Sequence, residues 1–290
     1  MELEKYKALL CAIEKGSLSA AAEELGYTPS GLSRSVAALE QECGFALLRR
    51  EHGGVRPTDA CEKLLPSIHA LLRSGEICAQ TAAEIRGLDV GTVAIGTAYS
   101  TYYRWLADVT GEFHARYPGI QVQLHSGHSS QLAAQLHAHQ LDACIITQRE
   151  GKHGWLPLCR DEMMAWVPQD HPLAKLHALP LRAFEAEPYI ETYPGEDIDN
   201  ARVFARCGIL PNLKFSTMDS LATYSMVEAG LGIALNNSLN GVSWAGRVKI
   251  MPLSPPQFVE VGLASAPAPA PAAKKFLEFA ARHLPGAASR

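Results

Sequence analysis

A pattern of helix, turn and helix near the start of the chain constrains the fold most. Residues 17–25, SLSAAAEEL, combine a serine cap with three consecutive alanines and end before Gly26, which predicts a short helix with a small-residue packing surface. Thr28 is then placed to cap a further helix that begins at Pro29, where the missing N–H costs no hydrogen bond. Together with an amphipathic segment that ends at Gly16, this spacing predicts three short helices in a helix-turn-helix arrangement.

The third predicted helix, which runs to Gly44, separates an apolar face from a polar one. Steps of about 100° per residue place Leu32, Val36 and Leu39 on the apolar side. The opposite face carries short side chains and one arginine, a composition that fits a DNA major groove, where arginine binds guanine or a phosphate. A solvated helix surface is the alternative. The residues of this polar face are Ser30, Ser33, Arg34 and Ala37.

A basic hairpin follows this helix. Residues 45–58 are predicted to form two short strands around a Gly53-Gly54 turn. Arg49, Arg50 and Arg56 flank the turn, where they can reach phosphates or an adjacent minor groove. The alternative is a surface hairpin without DNA contacts. Because the whole chain has a net charge of -4, affinity for DNA must depend on where these arginines lie.

Several motifs in this order resemble the signature of LysR-type transcriptional regulators. The motifs are residues 16–25, GSLSAAAEEL; residues 29–34, PSGLSR; Leu39-Glu40; and residues 47–50, LLRR, with Thr58 beyond them. The resemblance implies a winged helix-turn-helix DNA-binding domain over residues 1–58. Cys61 departs from the family pattern, which usually has glycine there. The predicted DNA contacts are Thr28, Pro29, Ser30, Ser33, Arg34, Arg49, Arg50, Gly53 and Arg56.

Apolar or small residues then recur at alternating steps of three and four along one predicted helix. A helix of roughly 25 residues with such a seam, and without a domain core around it, buries the seam most simply against its own copy. Residues 59–88 are therefore predicted to be a linker and dimerisation helix, with packing onto the effector domain as the alternative. Pro66 counts against an ideal seam. The seam residues are Cys61, Leu64, Ile68, Leu71, Gly75, Cys78, Ala82 and Ile85.

From residue 89 onward, predicted strands alternate with predicted helices. This order predicts an α/β fold with a parallel sheet, right-handed crossovers and ligands at the carboxyl ends of the strands. The resemblance implies a two-lobed, periplasmic-binding-protein-like effector domain over residues 89–290. One lobe is expected at about 89–161 and 267–290, and the other at about 162–266.

Candidate effector contacts lie at the predicted turns from strand to helix, where free N–H groups and hydroxyls hold anionic or hydroxylated ligands. Two carboxylates are expected on the opposite wall, which favours a ligand with hydrogen-bond donors or positive charge. Helix capping is the alternative role for the hydroxyls, and core packing is the alternative for the tyrosine. The candidates are Tyr99, Ser100, Thr101, Ser129, Ser130 and Thr147, with the carboxylates Glu191 and Asp219.

Catalytic and metal-binding motifs are missing from the sequence. It contains no GxxxxGK[ST], GxSxG or HExxH, and residues 230–232, GLG, lack the third glycine of a dinucleotide loop. The histidine pairs His125/His128 and His137/His139 are not expected to converge on a metal. We therefore expect neither an enzyme nor a cofactor. Scattered cysteines, no signal peptide and no membrane span predict a cytoplasmic protein.

The sequence thus predicts a sequence-specific DNA-binding transcriptional regulator, modulated by a small-molecule effector between two lobes. The expected partners are double-stranded DNA, the effector and further copies of the chain, as a dimer or a tetramer, with RNA polymerase as an additional partner and no membrane. One alternative is a regulator that senses oxidants through Cys144, Cys159 or Cys207. Another is a small-molecule-binding protein without a DNA-binding role.

Overall fold

The computed structural model describes residues 2–51, 53–240 and 244–284. The chain forms two compact units, the first built mainly from residues up to Val90 and the second mainly from the residues after it. Four stretches of the predicted domains lie outside the described residues: Met1 and His52 of the DNA-binding domain, and residues 241–243 and 285–290 of the effector domain.

The first unit contains the predicted helix-turn-helix and hairpin. Ser17 Oγ accepts a hydrogen bond from the Ala20 N–H at the start of the second helix, and Thr28 Oγ1 accepts one from the Gly31 N–H at the start of the third, at 3.1 Å. Local capping chemistry therefore places both helix starts, as predicted. The elements are α1 (Leu3–Lys15), α2 (Leu18–Glu24), α3 (Pro29–Cys43), β1 (Leu48–Glu51), β2 (Gly54–Pro57) and α4 (Asp59–Ile85).

The first half of the predicted dimerisation seam belongs to the core of this unit. Cys61 and Ile68 of α4 are buried in a cluster with Leu9 of α1 and Leu39 of α3, and Leu64 and Leu71 pack against the same cluster. The expectation that no domain core surrounds the seam is therefore wrong for these positions. The apolar residues do recur with helical periodicity along α4. The same periodicity can pack a helix against its own domain as well as against a second copy of the chain. Cys78, Ala82 and Ile85, in the second half, are exposed.

The second unit continues the alternation of strands and helices. Its strands are β3 (Gly91–Thr97), β4 (Ile120–Ser126), β5 (Ala143–Thr147), β6 (Gly154–Pro168), β7 (Leu179–Pro180), β8 (Tyr189–Thr192), β9 (Leu213–Thr217), β10 (Ala234–Asn237), β11 (Val248–Ser254) and β12 (Phe258–Ser265). Its helices are α5 (Tyr103–Arg116), α6 (Ser129–His137), α7 (Ala183–Ala186), α8 (Asp199–Cys207), α9 (Ser220–Glu228) and α10 (Pro271–Arg282), with short 3-10 turns at Ser100–Tyr102 and Pro172–Lys175.

One long strand, β6, belongs to the sheets of both lobes. In the first lobe the sheet order is β4-β3-β5-β12-β6, with β3 parallel to β4 and β5, and its core packs α5 and α10 around Phe113 and Phe276. Strand β6 then continues into the second lobe, where β10 and β11 pair with its far half. The second lobe has its own core around Phe184 and Phe204, and β8 pairs in parallel with β9 at its side.

The predicted end of the second lobe at residue 266 is wrong. Residues Val261–Ser265 of β12 pair with Thr147–Ala143 of β5, so they form the middle of the first lobe's sheet. Val261 and Leu263 are buried in the first lobe's core. The alternation of strands and helices did not reveal this return, because strand pairing depends on residues more than a hundred positions away.

Candidate functional sites

The outward face of α3 is a polar surface with one cationic side chain. Leu32, Val36 and Leu39 are at most 4% exposed and hold the opposite face in the core. Ser30 and Arg34 are exposed, and the Arg34 Nε–H donates to the Ser30 carbonyl oxygen at 3.4 Å. This long bond leaves the guanidinium nitrogens of Arg34 available to an external acceptor. The core therefore holds α3 in place, and its polar face is exposed to solvent.

The hairpin presents its arginines beside an acidic residue that sequence reasoning had not considered. Arg49 and Arg56 are paired across β1 and β2, and both contact Glu51, with Nε to carboxylate oxygen distances of 3.1 Å in each case. All three side chains are well exposed, so these ion pairs are weak and exchange readily for a phosphate. Arg50 is also exposed. The surface can thus present a positive edge despite the acidic net charge.

Gly54 brings the hairpin against the end of α1. The Val55 N–H donates to the Gly16 carbonyl oxygen at 2.8 Å, and a Cβ on Gly54 would lie 2.1 Å from that same oxygen. No side chain fits there without moving the backbone. The close approach therefore couples the hairpin to the helical core.

We expect Gly54→Ala to displace the hairpin, to lower the free energy of unfolding by about 1–3 kcal/mol and to weaken DNA binding. Chemical denaturation and fluorescence anisotropy with DNA measure the two effects. Gly111→Ala is the matched control, because a Cβ on Gly111 meets nothing within 4 Å. Unchanged stability and DNA affinity in Gly54→Ala would contradict the coupling.

A small polar cavity lies between the lobes of the second unit. Its volume is about 70 Å³, and both lobes contribute to its walls. Amides and hydroxyls predominate, so the cavity suits a polar ligand. The lining residues are Ala98, Tyr99, Gly127, His128, Ser129 and Arg149 from the first lobe and its turns, and Thr192, Tyr193, Ile198, Asp199, Asn200, Ser220, Asn236, Asn237 and Asn240 from the second.

A buried ion pair joins the two walls. Arg149 Nη2 donates to Asp199 Oδ1 at 2.8 Å, and the two side chains are only 5% and 8% exposed. Thr147 Oγ1 accepts a hydrogen bond from Arg149 Nη1 at 2.5 Å and donates to the same Asp199 oxygen at 2.7 Å. The Tyr99 hydroxyl and the Asn237 amide lie farther from Asp199 Oδ2, at 3.5 and 3.4 Å. One carboxylate thus contacts donors from both lobes, and its two shortest bonds come from the first lobe.

A second contact between the lobes lies beside the ion pair. Ser130 Oγ accepts a hydrogen bond from Arg149 Nε at 2.8 Å and donates to the Asp197 carbonyl oxygen at 2.5 Å. The Arg202 guanidinium binds both carboxylate oxygens of Asp197, and these hydrogen bonds lower the pKa of Asp197 to about 2. Asp197 is therefore ionised throughout the neutral range.

Asp161 is a further buried carboxylate, located on β6 where this strand passes between the lobes. Ser238 Oγ donates to its Oδ1, while Oδ2 has no hydrogen-bond partner among the described residues. Burial raises the pKa of Asp161, and the nearby Asp199 carboxylate acts in the same direction. The interior between the lobes is therefore richer in acidic groups than in basic ones.

The structure brings some of the predicted effector residues together and separates others. Tyr99 and Ser129 line the cavity, and Thr147 and Ser130 belong to the network that joins its walls. Four other candidates do not line it: Ser100, Thr101, Glu191 and Asp219.

The position of each of these four residues has a local cause. Ser100 and Thr101 lie on the exposed side of a 3-10 turn that buries Tyr102. Glu191 alternates along β8 with Thr192, so it points away from the cavity that Thr192 lines. Asp219 caps α9 by accepting a hydrogen bond from the Ala222 N–H at 2.8 Å.

Sequence reasoning missed the central pair, Arg149 and Asp199. Arg149 follows a completely buried strand by two residues, and Asp199 is the first residue of a helix. A charged residue directly after a buried strand was an available signal, because strand ends border the ligand cleft in α/β domains. The partner lies 50 residues away, and no local pattern identifies it.

Burial opposes an oxidant-sensing role for Cys144 and Cys159, two of the three cysteines considered for that role. Burial raises the pKa of Cys144 to about 12 and raises that of Cys159 as well, so neither thiol readily ionises to the reactive thiolate. All seven cysteines are free.

We expect a maleimide reagent to label Cys78, which is exposed in the single chain, once the folded protein is diluted to the monomer, while Cys144 stays unlabelled until the effector unit unfolds. Peptide mass spectrometry after timed labelling measures both positions. Peroxide treatment should likewise leave Cys144 and Cys159 reduced and DNA binding unchanged. Labelling of Cys144 as fast as that of Cys78 would restore the redox alternative.

The described residues contain neither a helix that could span a membrane nor a cluster of metal-ligating side chains. None of the helices there is both long and apolar enough to cross a membrane. Over the same residues, no group of three or more histidine, cysteine, aspartate or glutamate side chains is arranged to hold a metal ion.

Comparison with protein families matches both units. Residues 3–62 match the family model of bacterial regulatory helix-turn-helix proteins of the lysR family, and residues 86–285 match the LysR substrate binding domain. One curated relative, the uncharacterized HTH-type transcriptional regulator YvbU of Bacillus subtilis, is 28% identical over 285 residues, which are 97% of this chain and 98% of YvbU.

Solved structures share the fold over almost the whole chain. A full-length OxyR variant from Pseudomonas aeruginosa has a TM-score of 0.69 at 21% identity, covering 98% of this chain and 97% of its own. Full-length CbnR, described in complex with its target DNA, has a TM-score of 0.63 at 20% identity and covers 98% and 100% of the two chains.

Proposed function

Since the chain belongs to the LysR family of bacterial regulatory helix-turn-helix proteins, we propose that a small molecule bound between its two lobes controls how its α3 surface engages DNA. The protein is a DNA-binding transcriptional regulator with an effector-binding domain. The observation that carries the proposal is the polar cavity whose opposite walls are joined by Arg149 and Asp199. A ligand in that cavity must alter contacts between the lobes, and a shift in lobe closure is a recognised switching motion.

We propose that α3 and the hairpin contact different parts of the DNA. Arg34, with Ser30 and Ser33, faces the major groove, while Arg49, Arg50 and Arg56 contact the backbone or an adjacent minor groove. Thr28 and Pro29 begin α3 and place its N-terminus near a phosphate, and Gly53 lets the hairpin turn approach the duplex. The exposure of Arg34 against its fully buried helix face supports this assignment.

We propose a revised set of effector contacts. Tyr99, Ser129 and Arg149 form the first-lobe side, and the asparagines at the end of β10 and just after it form much of the second-lobe side. We expect the cavity to bind and release its ligand without converting it, because similar proteins are named transcriptional regulators. Because the target is chromosomal DNA, we expect the protein to act in the cytoplasm. Contact with RNA polymerase stays a prediction.

An effector screen with a cavity-filling variant tests the proposal. Metabolite pools are tested for a change in the anisotropy of DNA bound to the wild-type protein, using DNA from beside its own gene. Ala98→Phe, which fills the cavity, should bind DNA without effector as the wild type does and lose the response to the active pool. An equal response in Ala98→Phe would place the effector elsewhere.

We propose that the second half of α4 mediates dimerisation. Cys78, Ala82 and Ile85 continue the seam beyond the part buried in the DNA-binding unit, and Ile85 is 82% exposed. Two copies of α3 can then read two half-sites.

Ile85→Glu is expected to weaken the dimer by roughly tenfold or more, because it replaces an apolar contact worth about 1.5–3 kcal/mol with a charge. Sedimentation velocity over a dilution series measures this. Leu210→Glu is the matched control, because Leu210 is 83% exposed and lies outside the seam. Equal dimer dissociation constants in Ile85→Glu and Leu210→Glu would contradict the α4 interface.

A further inference from the structure

The Asp199 side chain lies where the carboxylate of a ligand would bind. Asp199 comes from the second lobe, yet the donors to its Oδ1, Arg149 Nη2 and Thr147 Oγ1, belong to the first lobe and lie within 2.8 Å. A guanidinium N–H and a hydroxyl are the groups that bind carboxylates most strongly in proteins. We call Arg149, Thr147 and the Tyr99 hydroxyl the carboxylate cradle. The chain's own carboxylate occupies it.

The charges around the cradle favour a ligand carboxylate that replaces the Asp199 side chain over one that binds beside it. Among the described residues, Arg149 is the one buried cation, while Asp199 and Asp161 are both buried carboxylates between the lobes. A ligand carboxylate added beside Asp199 would be a further buried anion with the same cation, and burying an uncompensated charge is costly. A ligand carboxylate that takes the place of Asp199 leaves the buried charge unchanged. An anionic ligand therefore binds more favourably by displacing the Asp199 carboxylate.

The available space leads to the same conclusion. A cavity of about 70 Å³ accommodates a few water molecules, since each needs about 10–15 Å³. Withdrawal of Asp199 would extend this cavity into the cradle and make room for a metabolite. The amide and hydroxyl groups of Asn236, Asn240 and Ser220 then face the remainder of the ligand, which suits hydroxyl or keto substituents.

We propose that the effector is a small polar carboxylate whose carboxylate group displaces the Asp199 side chain from Arg149 and Thr147. This inference rests on the proposed function, because it assigns the ligand of the same cleft. Asp199 is the first residue of α8, so its displacement shifts the start of that helix relative to the first lobe. Asp199 is thus a tethered competitor, and its release couples ligand binding to lobe movement.

Acetate is the probe that tests the cradle. In Asp199→Ala the cradle is empty, and sodium acetate at about ten times its Kd should raise the unfolding midpoint of the effector unit by roughly 3–6 °C relative to sodium chloride at equal ionic strength. The wild-type midpoint should respond much less, because Asp199 competes. Asp197→Ala, which removes a neighbouring but exposed carboxylate, should behave as the wild type does. Adding Arg149→Ala to Asp199→Ala should abolish the acetate effect.

Acetate that stabilises Asp199→Ala no more than chloride does would overturn the inference. If Asp199→Ala does not fold in chloride, recovery of folded protein on refolding in acetate supports the inference, and failure of both Asp199→Ala and Asp199→Ser to respond to acetate contradicts it. The measurement uses the full chain without DNA, so it is independent of the proposed function. A neutral effector that acts through the cavity would contradict the carboxylate class alone, whereas DNA binding that responds to no cavity ligand would contradict the proposed function.

Discussion

Replacing Arg149 with alanine is expected to destabilise the effector unit by about 3–5 kcal/mol, because the Asp199 carboxylate is left buried without a cation. The same change removes the donors that position Thr147 and Ser130, whose hydroxyls donate to Asp199 and Asp197 across the lobes, so it also weakens those contacts. Thermal or chemical unfolding of the full chain, followed by tryptophan fluorescence, measures the loss. This is the largest effect on stability that we predict.

Arg202→Ala is the matched control for this prediction. It breaks an arginine and aspartate pair of similar geometry, but Arg202 and Asp197 are 44% and 54% exposed. Exposed pairs contribute at most about 1 kcal/mol. Equal losses in Arg149→Ala and Arg202→Ala would show that burial of the Arg149 pair has no energetic consequence. Replacing both Arg149 and Asp199 with apolar residues should recover much of the stability, since no unpaired charge is then buried.

Arg34→Ala is expected to reduce specific DNA affinity by about 1–3 kcal/mol, or roughly 5- to 150-fold, because a bidentate contact from arginine to guanine is lost. Fluorescence anisotropy against the DNA beside the gene, compared with scrambled DNA across a salt series, measures this. A base contact predicts a loss of discrimination between the two DNAs. A phosphate contact predicts instead an equal weakening for both and a smaller salt dependence.

Arg104→Ala provides the control for charge alone. The Arg104 side chain is 93% exposed on α5 of the effector unit. Its replacement by alanine removes the same charge from the chain as Arg34→Ala does. We expect its effect on DNA affinity to be negligible. Arg34→Ala binding with the affinity and specificity of the wild type would rule out α3 as the recognition element.

The helix-turn-helix was predictable because its signals are local. Thr28 and Pro29 define the start of α3 within one helical turn, and Gly44 ends it in a left-handed conformation at φ 80°. The apolar spacing of Leu32, Val36 and Leu39 identified the buried face. Such signals act over a few residues, so they can be read along the chain. The same is true of the alternating strands and helices of the effector unit.

The heptad seam shows where a local pattern has two solutions. The spacing from Cys61 to Ile85 predicts an apolar stripe, and α4 has one. Whether a partner helix or the unit's own core covers the stripe depends on what lies beside it. In the structure α1 and α3 cover Cys61 and Ile68, which leaves only the far end of the stripe for a second copy.

The sequence by itself determined the helix-turn-helix, the basic hairpin, the α/β character of the second unit and, through these motifs, the family. Tertiary structure alone decided the arrangement that we propose as the effector site: it brought Arg149 to Asp199, placed Val261–Ser265 in the first lobe and turned Glu191 away from the cavity. The physical reason is the separation along the sequence of the residues that interact. Caps, turns and helical periodicity act between residues a few positions apart, whereas a buried ion pair forms between side chains that only the folded lobes bring together.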